Sequence, residues 1–368
     1  MLKIFGIAGR INRDSNIGDS QLPVDLIRTF AIVLVVLLHA SIEPVPAIVE
    51  PDSSAVLIQW WSVNIYDSFA RPCVPLFVML SGALLLQPSK ADEPLGVFFK
   101  KRVSRIALPF LFWMGAYFAW DIFVEHQALT SQFLVEGLLG GPYIHFWFFY
   151  MIIGLYLVTP LVRIFTAHAS RRLMKYFFVL WLIGVSLVPL LNLLVVHNLN
   201  GNLFLVTGYI GYFLLGLYLL NTHVNRKLLA LGILAGFVWT ALGTYWITAA
   251  IGGDLQFFFY DYFSLGVVLA SVSWFLLLLS VKYGKIKCRH PRVDKFIHYV
   301  SINSLAIYLF HFMVLETLEN GYLFGFRISM ETLNPVIEIP LLAVVTLAIC
   351  LLVLYPLRKI PYLNRLIG

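Results

Sequence analysis

The chain has 368 residues, 60% of them hydrophobic and only 12% charged, with a formal net charge of +7 and a mean hydropathy of +0.85. A soluble domain carries about a quarter charged residues, so the composition excludes a soluble globular protein and indicates an integral membrane one. Excess Lys and Arg in such a chain records membrane topology and does not call for a nucleic-acid partner.

Apolar runs long enough to cross about 30 Å of hydrocarbon fall at roughly 24–45, 57–87, 106–126, 145–167, 173–196, 203–221, 227–252, 257–281, 299–317 and 335–356. The expected fold is all-α and polytopic, with about ten transmembrane helices. The first run is followed by Glu43-Pro44 rather than a small-residue cleavage pattern, so it reads as a retained span and not a signal peptide. The second is interrupted by Arg71-Pro72 and by Pro75, where a kink is expected. With the N-terminus cytoplasmic, the inner segments hold 23 of the 26 Lys and Arg residues, whereas Glu43, Glu50 and Asp52 fall in the first outer loop. That bias predicts a multi-pass protein of the cell membrane with both termini on the cytoplasmic side. Residues 1–23 then form a cytoplasmic segment, 24–356 a ten-helix transmembrane domain and 357–368 a short cytoplasmic tail. Three scattered cysteines, Cys73, Cys288 and Cys350, lack any C-x-x-C spacing and suggest neither a disulfide framework nor a metal site.

Polar residues inside the spans are costly, and each needs a reason. In the first span, Arg28 and His39 are eleven residues apart, almost three full turns, so they share a helix face about 16 Å apart along the axis. Arg28 either snorkels to inner headgroups or serves a site; His39 either bonds a neighbouring helix or lines a cavity. The ninth span carries Ser304, Tyr308 and His311 on one face. His311 lies roughly 18 Å from the inner edge and His39 roughly 22 Å, depths that suggest a shared polar cavity. Before span three, KKRVSRIALPF places Arg102 and Arg105 three residues apart, as topology requires or as a grip for an anion such as phosphate. Arg71 is a further intramembrane charge beside the kink. At the outer edges, GGPYIHFWFFY offers His145 and Trp147, and FFFYDYF offers Tyr260 and Asp261, chemistry suited either to an interfacial belt or to sugar hydroxyls.

An ordered set of segments is similar to the membrane-bound acyltransferase-3 family. It comprises Arg28-x-x-Ala31 with His39, ARPCVPLFVMLSGALL (70–85), RVSRIALPF (102–110), HFWFFYMIIGLYLVTPLV (145–162), GYFLLGLYL (211–219) and SLAIYLFH (304–311). These cover spans one to four, six and nine; spans five, seven and eight match no pattern. The resemblance implies transfer of an acyl group, often acetyl, to sugars and other acceptors at or across the membrane. It also implies His39 as the essential histidine and Arg28 as part of the donor path. Acyl-coenzyme A, the expected donor, would keep its phosphates near Arg102, Arg105 and Arg28, with Arg71 on the same channel, and would thread its pantetheine arm toward His39. No permanently bound cofactor is expected. His39 would act as general base or as an acyl relay, with His311, Tyr308 or Ser304 orienting it or stabilising an oxyanion. The acceptor, a glycan, a lipid-linked sugar or another hydroxyl compound, would meet His145, Trp147, Tyr260 and Asp261. The alternative is a ten-span secondary transporter of a polar or anionic small molecule, against which stands the absence of matching Gly/Pro-broken segments in two halves.

Overall fold

The computed structural model describes residues 22–42, 54–90, 92–194, 208–251, 255–281, 290–322, 325–329 and 333–368. The N-terminal segment 1–21, the outer-loop acids Glu43, Glu50 and Asp52, and Cys288 lie outside the described residues. Every regular element among the described residues is helical.

The first helix, α1 (Leu22–Ala40), is the hub of the bundle. Its buried side chains include Ile27, Ala31, Ile32, Leu34, Val35, Val36, Leu38 and Ala40. It packs against α2 (Ser54–Ala70), α3 (Cys73–Leu85), α12 (Leu265–Leu279), α13 (Pro291–Ile302), α14 (Ser304–Asn320) and α15 (Pro335–Leu357). A helix apolar all round suits such a central place.

The expected break at Arg71-Pro72 separates α2 from α3. Pro75 breaks nothing, contrary to the sequence expectation, because it is the third residue of α3. There its missing N–H would have had no intrahelical partner. Helices α4 (Leu95–Arg102) and α5 (Leu108–Phe123) are joined without interruption by a π-helical turn, Val103–Ala107. The basic stretch before span three is therefore helical, with Arg105 on the π turn. A further helix, α6 (Ser131–Gly140), lies between spans and is started by the Thr130 side chain accepting from the Phe133 N–H.

Helix α7 (Trp147–His168) is followed by α8 (Arg171–Leu182), a second π turn, α9 (Val188–Leu194), α10 (Gly208–Leu219) and α11 (Arg226–Ile251). A four-residue helix, α16 (Leu363–Leu366), ends the chain. The tightest approach joins α3 to α10. A Cβ on Gly82 would stand 1.7 Å from the Phe213 carbonyl oxygen, and one on Gly216 1.8 Å from that of Met79. Only glycine allows these backbones to touch, the small-residue packing that holds membrane helices together.

Among the described residues, eight helical segments are long and apolar enough to span a membrane. The ninth expected span is not straight: α13 and α14 meet at Asn303 with a bend of 76° and count together as one broken span. No proline or glycine marks the break. The Asn303 side chain instead donates to the Tyr299 carbonyl and accepts from Arg358, so a residue 55 positions away secures the bend. The sixth expected span corresponds to α10, whose 12 described residues rise about 18 Å, less than a bilayer core.

Candidate active site

Helix α1 brings His39 toward its end, α14 contributes His311, and a short 3-10 turn, Ile144–Phe146, carries His145 in just before α7. Gly141 at φ 92° makes the turn that feeds this segment inward, a conformation open chiefly to glycine. The ring centres of His39 and His311 are 4.9 Å apart, those of His145 and His311 5.4 Å, and those of His39 and His145 6.3 Å. Phe312 stacks on His145 at 5.3 Å and meets His39 edge-on at 5.7 Å. His145 and His311 are fully buried, whereas His39 keeps partial exposure.

Hydrogen bonding fixes the ring protons. His39 Nδ1 lies 3.0 Å from the Val35 carbonyl, and His311 Nδ1 lies 3.1 Å from the Ile307 carbonyl. A carbonyl only accepts, so each Nδ1 carries a hydrogen. His311 Nε2 is then a bare lone pair, and it lies 3.0 Å from His39 Nδ1. The His39 Nδ1–H is therefore shared between Val35 and His311, which leaves a lone pair on Nε2 of this partly exposed residue. Two acceptors agreeing on one hydrogen hold both the tautomer and the tilt of the imidazole.

Tyr308 belongs to the same cluster: its hydroxyl donates to the His145 carbonyl at 2.5 Å and anchors the turn against α14. Both ring nitrogens of His145 are buried without a partner, an expensive state that a polar ligand would relieve. Ser304 is not with them. It opens α14, seven residues or about 10 Å along the axis from His311.

At the other end of α1, Arg28 lies within electrostatic reach of Asp25, Tyr156 and Arg105. Arg102 sits over the rings of Phe98 and Tyr156, and its Nε is buried with no hydrogen-bond partner. Arg28, Arg102, Arg105 and Tyr156 thus surround one region from α1, from α4 with its π turn, and from α7. The neighbouring cations are spoken for. Arg163 donates to the Leu85 carbonyl and to Glu93, and Glu93 also accepts from Lys101 at 2.7 Å. Lys101, then Arg163, hold the Glu93 carboxyl below its ordinary range.

Arg71 makes a forked ion pair with Asp67, four residues earlier, and lies 4.5 Å over the Tyr260 ring and 6.0 Å from that of Tyr262. Tyr260 donates to Asn64, and Trp147 packs on Tyr262. Of the residues expected to meet an acceptor, Tyr260 borders Arg71, Trp147 packs on Tyr262, and His145 joins the histidines. Asp261 is exposed and accepts from the Phe263 N–H, closing a local turn.

Sequence reasoning singled out neither Tyr156 nor a trio near the histidines. The Tyr143 hydroxyl lies 2.8 Å from Asp121 and 3.1 Å from Glu316, and Trp120 also donates to Glu316. Acids inside two spans were the available signal for this trio.

These features define a polytopic helical membrane protein with a histidine site buried in its bundle and a cationic region at the other end of the same helix. A profile described as an acyltransferase domain, of the acyltransferase-3 family, matches residues 23–355, and the chain belongs to that family. It is accordingly a membrane acyltransferase. No curated protein and no solved structure matches the chain.

Proposed function

We propose that the protein transfers an acyl group, acetyl by preference, from cytoplasmic acyl-coenzyme A to a hydroxyl of a sugar or glycan-type acceptor at or across the cell membrane. The observation that carries this reading is the pairing on α1 of a cationic end, with the buried unpartnered Arg102 Nε beside it, and a histidine whose Nε2 lone pair is free. The charge bias supports a cytoplasmic side for the cationic end and for both chain termini.

Arg28, Arg102 and Arg105 would take the donor's phosphates, for which guanidinium groups are well suited. About 16 Å of helix α1 then separates Arg28 from His39, a distance that a thin pantetheine arm reaches. At His39, Nε2 accepts the proton of the acceptor hydroxyl while its oxygen attacks the thioester carbonyl. The carbon–sulfur bond breaks, and the thiolate leaves with the proton returned by the imidazole. The same lone pair serves the alternative route, in which His39 is acylated first and the acceptor attacks the acyl-imidazole. His311 orients His39 in either route, and the unpartnered nitrogens of His145 are available to the acceptor or to the developing oxyanion.

The test is release of free coenzyme A thiol by the purified protein in lipid, wild type beside His39→Ala. Loss of turnover with donor binding retained supports His39 as the reacting group. A well-folded wild type that neither binds nor turns over acyl-coenzyme A refutes the proposal.

A further inference from the structure

At the basic end of the bundle, away from the elements that carry the three histidines, a cavity of about 350 Å³ opens between the start of α8 and the end of α10. Arg171, Arg172, Lys175 and His223 line it together with Tyr218, Asn221 and Thr222. No carboxylate is among these residues, and among the described residues none of the three Lys and Arg side chains has an ion-pair partner. Topology requires cations at this end but not that they converge on a hollow. Arg163 and Lys101 share Glu93, whereas Arg171, Arg172 and Lys175 face one another's charge around empty space.

Two details arrange the hollow for an anion. The Arg171 guanidinium lies 5.3 Å over the Tyr218 ring, which is itself braced edge-on by Phe178 at 5.2 Å, so one wall is held in place. Ser170 caps α8 by accepting from the Leu173 N–H, which leaves the Arg171 and Arg172 N–H groups at the helix start without an intrahelical acceptor. Two guanidinium groups, an ammonium and free amides are the donor set that phosphate oxygens take. Basic hollows between membrane helices at the cytoplasmic edge bind anionic head groups in this way.

We infer that the hollow lined by Arg171, Arg172, Lys175 and His223 is a binding site for a phosphate group, carried by an anionic phospholipid head or by a soluble phosphate. It is built on α8 and α10, separately from Arg28, Arg102 and Arg105, and it does not depend on which acyl donor the enzyme uses.

The test uses the full chain in nanodiscs of phosphatidylcholine with or without phosphatidylglycerol, reading the phosphatidylglycerol retained by native mass spectrometry after release. Arg171→Gln with Lys175→Gln is compared with an equal charge loss elsewhere at the same end, Arg292→Gln with Lys295→Gln. A third variant, Asn221→Asp, adds one negative charge to the hollow without removing a cation or changing the side chain's size. The site predicts that the first pair weakens retention by at least about tenfold, that Asn221→Asp weakens it too, and that the Arg292 and Lys295 pair does not. Retention that resists inorganic phosphate identifies a lipid head group as the occupant. Displacement by inorganic phosphate, dependent on Arg171 and Lys175, identifies a soluble phosphate. Equal weakening by both pairs, or by neither, overturns the inference. All the substituted residues are exposed, and a melting curve on each variant confirms the fold.

Discussion

Replacing His311 by alanine tests the arrangement of the histidines more sharply than replacing His39. In the proposed mechanism His39 performs the proton transfer, and a positioned acid–base group of that kind is worth about 10²–10⁴ in rate. His311 contributes one neutral acceptor to the His39 Nδ1–H at 3.0 Å, while the Val35 carbonyl, also at 3.0 Å, holds the same hydrogen independently. Removing His311 therefore leaves no buried donor orphaned and keeps the tautomer. The loss is that of one neutral hydrogen bond, about 0.5–1.5 kcal/mol, or a factor of about two to ten in turnover. His311→Gln, whose amide oxygen can accept in place of Nε2, should recover part of that factor. The assay is thiol release from acyl-coenzyme A by protein in nanodiscs, with turnover and donor binding measured separately and a melting curve on each variant. The reasoning fails if His311→Ala loses as much as His39→Ala while still folded and binding donor, because His311 would then itself carry the reacting proton. It fails equally if His311→Ala leaves turnover unchanged and His311→Gln changes it no further.

Three other predictions rest on different parts of the molecule. Arg102→Gln should raise the KM for acyl-coenzyme A about tenfold or more with little change in kcat, since a charge-assisted hydrogen bond is worth about 1.5–3 kcal/mol; steady-state kinetics decide. Gly216→Ala puts a methyl group 1.8 Å from the Met79 carbonyl oxygen and must push α10 off α3, a cost of about 1–3 kcal/mol or more that thermal unfolding in a fixed detergent would register. Glu93 has a depressed carboxyl in the clasp with Lys101 and Arg163. Its stabilisation is full above the ordinary carboxylate range and lost as pH falls through its lower folded value. Melting temperatures of wild type and Glu93→Gln should separate near neutral pH and converge in acid, and parallel curves across that range would contradict the assignment.

Much of this was legible in the sequence, for reasons that separate cleanly. Arg28 and His39 announced themselves because ionisable groups are costly in an apolar helix, and a uniform helix fixes their shared face without any tertiary information. The meeting of His39 with His311 followed from comparing depths along two helices. That arithmetic succeeded although the helix it assumed for residues 299–317 is bent at Asn303, because Tyr308 and His311 lie beyond the bend on α14. The bend itself had no local signal. It depends on Arg358, far away in sequence, whose guanidinium also reaches the Ile302 and Gly368 carbonyls. His145 was visible as a polar residue beside glycines, but its place among the other histidines is a property of the inward turn and not of helical spacing. The trio of Asp121, Tyr143 and Glu316 was hidden for the same reason, being assembled from α5, α14 and the approach to α7.

One consequence follows from Arg28 and His39 sharing α1, an unbroken helix packed on many sides. The distance between them cannot be adjusted smoothly. Each residue added or removed between them changes the spacing by 1.5 Å but swings His39 by 100° around the axis, off the face that meets His311. Registers that restore the face come only about three or four residues apart, in steps of roughly 5 Å. On the proposed donor path the helix would act as a ruler with coarse graduations: it would fix the length of the carrier arm without grading acyl chains that differ by one carbon. On the same reading, discrimination on that finer scale would fall to the side chains around His39, Phe312 and His145 first, where single substitutions would reshape the space without moving the ruler.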